Sequence, residues 1–445
     1  MRASSPERRQ SRDANAPPAP RLTLEHDEPR PSSASLRALD WFTFFVADVQ
    51  TGFGPFIAVY LTANQWTQVN IGLVLTIGGL VALVGQIPGG ALVDAAKSER
   101  RIAAASLVLI SVSALALALL PIFPVVLAAN LLHAVASCVL GPAIVAISLG
   151  LVGHRGISER LGRNVRFLSI GNGLAAAGMG ACGYFLSKES VFYVTAALSV
   201  PALLSLSRIR EEEIDPVRAH AGVPRRHPAN LAQGLRRVAA NRPLLLFAAC
   251  IALFHLANAA MLPLVSGMIT MRSSSWATVL VAACIVVPQL VVAAFSPRVG
   301  RTARHWGRRP LLLIAFAVLP LRGVLLAVVT QPFLLCIVQA LDGISAAVLG
   351  VLVPVVVADL TRNTGRFNLA QGVVGTGVGI GASLSTTIAG YLADHFGGPV
   401  ALLGLSGAAT CGLLLLLLRM PETGPFNEPA MMDEVKSVLR NRKGA

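Results

Sequence analysis

Asn130-Leu-Leu-His133-Ala, followed after four residues by Val139-Leu140-Gly141, lines up without a gap against Gln339-Ala-Leu-Asp342-Gly, followed by Val348-Leu349-Gly350. A second match comes just after each: Asn164 with Gly171 and Gly173 in the first half, Asn368 with Gly375 and Gly377 in the second. All four segments are apolar runs, and the polar positions of one half answer polar positions of the other. The chain therefore reads as a duplicated unit, and a repeat of this length governs the reading of everything around it.

Working outward, each repeat lies among stretches of the roughly 20 apolar residues a helix needs to cross a bilayer. Six begin near Leu39, Asn70, Arg101, Phe123, Leu161 and Val191, and six more near Arg242, Ser275, Arg309, Pro332, Arg366 and Pro399. The 445 residues are 54% hydrophobic and 13% charged, with a mean hydropathy of +0.67, which leaves too little polar surface for a water-soluble fold. The predicted fold is an all-α integral membrane protein, with 12 transmembrane helices arranged as two pseudo-symmetric six-helix bundles. Residues 1–38 are expected to form a disordered cytoplasmic tail, since they are charged, proline-rich and lack apolar periodicity. The first apolar run starts too late and runs too long for a cleavable signal peptide. The bundles are expected at 39–207 and 242–419, with a cytoplasmic linker at 208–241 and a cytoplasmic C-terminal tail at 420–445. In the linker, Leu231, Leu235 and Val238 fall at helical spacing beside Arg236 and Arg237, as in a short surface helix.

A net charge of +15 raises the question of nucleic acid, and the placement of the charge answers it. Lys and Arg gather in the tails and in every second loop, among them Lys97, Arg100, Arg101, Arg236, Arg237, Arg308 and Arg309, while the intervening loops hold only Lys188 and Arg272. Basic loops remain cytoplasmic, so both termini are expected inside and no nucleic-acid partner is implied. The six cysteines, Cys138, Cys182, Cys250, Cys284, Cys336 and Cys411, sit in apolar runs with no CxxC spacing, and read as packing residues rather than a metal site or disulfide framework.

Between the second and third spans stands Gly90-Ala-Leu-Val-Asp94, with Arg100 and Arg101 shortly after. The second-half copy is Gly300-Arg-Thr-Ala-Arg304-His-Trp-Gly307-Arg308-Arg309, where an arginine occupies the acidic position. With these motifs and the duplicated plan, residues 39 to 420 resemble the major facilitator superfamily. The resemblance implies a bacterial-type inner-membrane carrier, monomeric and without cofactor or metal, that moves a small solute by alternating access. It implies that Asp94 helps to latch the halves on the cytoplasmic side beside a helix N-terminus, where a carboxylate is favoured. It also implies that spans one, four, seven and ten line the central cavity. Drug-exporting relatives often carry an Arg and a Gln-Gly in the fourth span and a Gly-Pro pattern in the fifth. Here Asn130 and His133 stand at the first two positions, and the fifth span has glycines without proline.

Ionisable residues at membrane depth are costly, about 2.5 to 3.5 kcal/mol for Asp or Arg on insertion scales, so they face a cavity or a partner. Asp48, His133 and Asp342 fall about halfway through spans one, four and ten, and Gln50, Asn130, His255, Asn258 and Gln339 add polar groups to the expected cavity. Asp48 and Asp342 are read as carrying protons or meeting a cationic part of the solute, with His133 and His255 as relays. The competing reading for Asp48 and Asp342 is a fixed packing contact. Arg322, deep in span nine, either snorkels outward or pairs with Asp342, and pairing argues against Asp342 as a proton carrier.

Gly375, Gly377, Gly379 and Gly381 lie in a span with no preceding strand, so they suggest close helix packing rather than phosphate binding. On the resemblance, such faces let spans five and eleven rock against eight and two. Pro55, Pro263, Pro288 and Pro354 are candidate kinks. No GxSxG, HExxH or Walker lysine occurs, so no enzyme is indicated and energy is expected from a gradient. The favoured function is proton-coupled export of a small compound. The alternatives are an uptake symporter or facilitator for a metabolite, and a non-transporting membrane sensor.

Overall fold

The computed structural model describes residues 31–51, 55–187, 189–219, 231–272 and 277–424. The side chains of Asp48 and Gln50 lie outside the described residues, as do most of the two tails. Span 1 is built of α1 (Ser33–Thr51) and α2 (Pro55–Ala63), span 2 of α3 (Gln68–Ala95) and span 3 of α4 (Glu99–Leu119). Next come α5 (Phe123–Phe185) and α6 (Ser190–Ser207), the latter being span 6. The linker carries α7 (Pro216–Ala219) and α8 (Leu231–Ala240). Span 7 is divided into α9 (Arg242–Asn258) and α10 (Met261–Arg272), span 8 is α11 (Ala277–Trp306) and span 9 is α12 (Arg309–Val328). Span 10 is divided into α13 (Pro332–Val338) and α14 (Ala340–Leu360). Spans 11 and 12 are α15 (Phe367–Phe396) and α16 (Gly398–Arg419).

Ten helices among the described residues are long and apolar enough to cross a membrane. One of them, α5, counts for two. Its 63 residues would run about 95 Å if straight, three times an apolar layer of about 30 Å, and Gly153 breaks it in the left-handed region (φ 64, ψ −179). A glycine suits that backbone because a Cβ there would clash. Span 1 falls outside the length test because its described residues form two stretches, each of which meets it only in part. With α5 split and span 1 restored, the count is twelve.

α1 begins at Ser33, ahead of the expected edge at Leu39, and the reason is polar. The Ser32 amide and hydroxyl donate to Glu213 Oε2 at 2.9 and 3.0 Å, and Ser35 accepts from the Arg210 amide. Hydropathy does not report such a contact. Two hydrophobic cores result, one from residues between Ala38 and Ile214, the other mostly from residues between Val238 and Met420. In α8, Val238 is buried and Leu235 packs against the second core, while Arg236 and Arg237 are exposed.

Candidate functional site

Arg322 is the largest fully buried side chain described, at 1% exposure. Its Nη1 donates to Asp342 Oδ1 at 2.6 Å and to Asn258 Oδ1, and its Nε donates to Gln339 Oε1 at 3.0 Å. Three helices of the second half thus converge on one guanidinium. Helical side chains tilt toward the N-terminus of their own helix. α12 and α14 run in opposite directions across the bilayer, so Arg322 leans toward mid-bilayer while Asp342 leans outward to meet it. The same tilt disfavours outward snorkelling by Arg322. Span 10 breaks at Gln339, which places Asp342 in the first turn of α14, where the unpaired amides favour a carboxylate. The break falls far from Pro354, so it was not legible as a proline kink.

Gln339 is itself buried, at 1%, and its Nε2 finds no partner among the described residues. It therefore supports Arg322 from within the second bundle rather than lining an opening. Asp342 alone of the ion pair is partly open, with 28% of its side chain exposed against 2% for Arg322. His255 lies within electrostatic reach of Asp342, and its Nδ1 is buried without a hydrogen bond among the described residues.

In the first half, the two candidate residues with described side chains, Asn130 and His133, do not share a hydrogen-bond partner. Asn130 is buried and donates to the Val74 carbonyl at 2.9 Å, filling the space that Gly78 leaves in α3, so it joins spans 2 and 4 instead of facing a cavity. His133 is half-buried, with Nε2 3.3 Å from Ser137 Oγ one turn on. Asp48 and Gln50 sit on α1.

The loops of the motif face tie the halves together. Asp94 accepts from the Asn368 and Leu369 amides at 3.2 and 2.9 Å and from Asn368 Nδ2 at 2.8 Å, capping the first turn of α15. Gly90 lets the α3 backbone rest on the Asn368 carbonyl, and Gly372 does the same for Gln86. On the other side of the junction, Gly300 meets the Ser158 carbonyl, Gly162 meets Ser296, and Ser169 Oγ bonds Gln289. Arg304 pairs with Glu159 at 3.6 Å, both half-exposed, so the second motif also bridges the halves, with its charge reversed.

The remaining motif arginines act inside their own half. Arg100 donates to the Ile209 carbonyl at 2.7 Å and pairs with Glu211 at 3.2 Å. Hydrogen bonding from Ser98, then Arg100 and Arg101, outweighs slight burial and holds the Glu211 carboxyl below its usual range. Arg308 pairs with Asp359 at 2.9 Å, and the Arg308 and Arg309 amides donate to Glu422 at 2.8 and 3.0 Å. Gly307 adopts φ +85 against that carboxylate.

The glycine-rich face of α15 is divided. Gly375 and Gly379 meet Gln86 and Leu83 of α3, but Gly377 and Gly381 meet Ala248 and Ala252 of α9 in the same half. In span 5, Gly171 packs on the Phe44 carbonyl of α1, while a Cβ at Gly173 or Gly178 would meet nothing within 4 Å. Only part of each small-residue face therefore serves the junction.

Sequence reasoning missed three acids. Glu422, just after span 12, accepts from the amides at the start of α12, and Glu211, just after span 6, pairs with Arg100 near the start of α4 in the first half. Asp40 is buried at 1% between Arg160 and Arg163, the latter at 2.6 Å, and Arg160 also reaches the Leu36 carbonyl and Asn164. The signal for Asp40 is a carboxylate early in an apolar run, near the end of the span rather than at mid-bilayer depth.

A family model described as Major Facilitator Superfamily matches residues 40–321 and 269–443. An uncharacterized MFS-type transporter of Mycobacterium tuberculosis, recorded from two strains, is 40% identical over 396 residues, covering 87% of this chain and 93% of that protein. The human organic anion transporter MFSD10 (TETRAN) has a similar fold, with a TM-score of 0.68 at 15% identity, over 86% of this chain and 99% of that one. The proton:xylose symporter XylE bound to 6-bromo-6-deoxy-D-glucose superposes with a TM-score of 0.66 at 14% identity, over 88% and 96%. The duplicated helices, the motif loops and these likenesses agree: the chain belongs to the Major Facilitator Superfamily and is a multi-pass membrane transporter, not an enzyme.

Proposed function

We propose that the protein exports a small solute by alternating access, driven by protons, with the Arg322 cluster as part of the solute site. The observation that carries this reading is the asymmetry of the ion pair. Arg322 is buried and occupied by three acceptors, so only the Asp342 carboxylate is partly exposed. A solute meeting it gains most from a cationic or hydrogen-bond-donating group. Protonating Asp342 would leave Arg322 without its counter-charge, and breaking a buried pair costs about 3–5 kcal/mol. Proton exchange is therefore assigned to Asp48, with His133 and His255 as relays, and Asp342 to the solute.

The motif face is taken as cytoplasmic, with both termini there, because it carries the basic loops. The Asp94 hydrogen bonds and the Arg304–Glu159 ion pair between the halves lie on that side, as expected for a carrier closed toward the cytoplasm of the cell inner membrane. The working unit is a monomer.

Purified protein in proteoliposomes under an imposed pH gradient, offered cations, drugs and organic acids, tests the proposal. Cationic solutes are expected to move against the proton flow, and Asp342→Asn to lower that flux by about tenfold or more. Flux that ignores the gradient, or no solute moving under either sign of it, sinks the reading.

A further inference from the structure

Two of the six cysteines touch. Cys284 on α11 and Cys336 on α13 are both buried and free, with sulfurs 3.4 Å apart. Among the described residues they are the one cysteine pair in contact. Cys336 is further held by the Leu280 carbonyl of α11, at 3.3 Å, so this seven-residue helix rests on span 8. Three residues beyond Cys336, α13 is cut from α14 at Gln339, the residue that accepts from Arg322. The outer piece of span 10 is thus a short segment whose thiol contact lies within one turn of its break.

We propose that Cys284 and Cys336 form a redox-active dithiol, which closes to a disulfide and pins the outer segment of span 10 to span 8. Bonded sulfurs lie about 2.05 Å apart, so closure asks for an approach of about 1.4 Å, within reach of a side-chain rotation or a small shift of α13. By helix rise, Cys336 is about 6 Å from the Pro332 end of α13 and Cys284 about 10 Å from the Ala277 end of α11, inside the apolar layer. The fitting oxidant is therefore a lipid-soluble quinone. The two S–H bonds break, the S–S bond forms, and the two electrons and two protons reduce the quinone to its quinol. A small dithiol reverses the step by exchange. Because Gln339 is both the break and a support of Arg322, pinning α13 restrains the edge of the ion-pair cluster.

Full-length protein in membrane vesicles, treated with a short-chain benzoquinone, provides the test. Peptide mass spectrometry is expected to show the peptides of Cys284 and Cys336 joined with loss of two hydrogens, while Cys138, Cys182, Cys250 and Cys411 remain free. Amide exchange over residues 332–338 should slow by about tenfold and recover with dithiothreitol. Neither change is expected in C336S, nor in C284S, the second variant guarding against a folding defect in the first. Cysteines that stay unlinked, a link that leaves exchange unaltered, or the same slowing in both serine variants would overturn the proposal. Solute flux, expected to fall with oxidation, rests on the transport reading; the mass and exchange measurements do not, so the two ideas fail separately.

Discussion

Arg322 and Asp342 illustrate how direction along a helix decides which buried charges meet. Both side chains lean along their helices toward the same depth, and Asn258 and Gln339 satisfy what the carboxylate leaves. Removing one partner strands the other: Asp342→Asn is expected to lower stability by about 3 kcal/mol, the low end for a buried pair because the carboxylate is partly open. The double variant Arg322→Met/Asp342→Leu should return to within about 1 kcal/mol of the parent, since an apolar pair of similar volume replaces a buried ion pair at little cost. Thermal unfolding in detergent measures both, and a double variant no more stable than the single one would show that the pair is not the determinant. At this scale the midplane residues were legible, because depth follows from counting along an apolar run. The partners were not: Asn130 turned to Val74, and Glu422 and Asp40 went unnoticed, since a hydrogen bond between distant helices leaves no periodic trace.

Among the elements, the junction between α3 and α15 depends on backbones approaching where no side chain intervenes. A methyl group at Gly90 would collide with the Asn368 carbonyl, which is backbone and cannot swing away. Gly90→Ala is therefore expected to shift the protein toward the state open at the motif face. Gly173→Ala, in a position with nothing within 4 Å, should leave the distribution unchanged. Spin labels at exposed Lys97 and Thr364 report the separation of the two loops, and an unaltered distance distribution in Gly90→Ala would contradict the assignment. The glycine runs were readable as packing faces, but their division between α3 and α9 was not, because a small residue advertises closeness without naming its neighbour. The break in span 7 falls just before Pro263, a candidate kink, whereas that in span 10 was hidden, since a helix interrupted at mid-bilayer without a nearby proline keeps the same apolar composition on both sides.

For the molecule as a whole, the contacts at the motif face act on a single equilibrium, that between the two ways of joining the halves. Asp94→Asn removes a charge from the N-terminus of α15, worth about 1 kcal/mol or less, and Gly162→Ala disturbs the opposite side of the junction. The sites are separate, so their effects on the closed fraction are expected to add in free energy, within about 0.5 kcal/mol, in the same spin-label measurement. Strong departure from additivity would mean that the two sides do not report one motion. Glu159→Gln, by contrast, should change little, because its pairing with Arg304 is half-exposed. From its sequence alone this protein is a duplicated membrane chain of twelve spans, with charged loops on one face and a few ionisable residues at mid-depth. Those properties follow from the cost of moving each residue into an apolar medium, which accumulates along the chain and needs no knowledge of neighbours. Only the tertiary structure decided that Arg322 meets Asp342, that Asp94 caps α15 and that Cys284 touches Cys336. In lipid the helix surfaces are apolar on all sides, so the rotation of each helix about its axis is set by packing with its neighbours rather than by an amphipathic pattern.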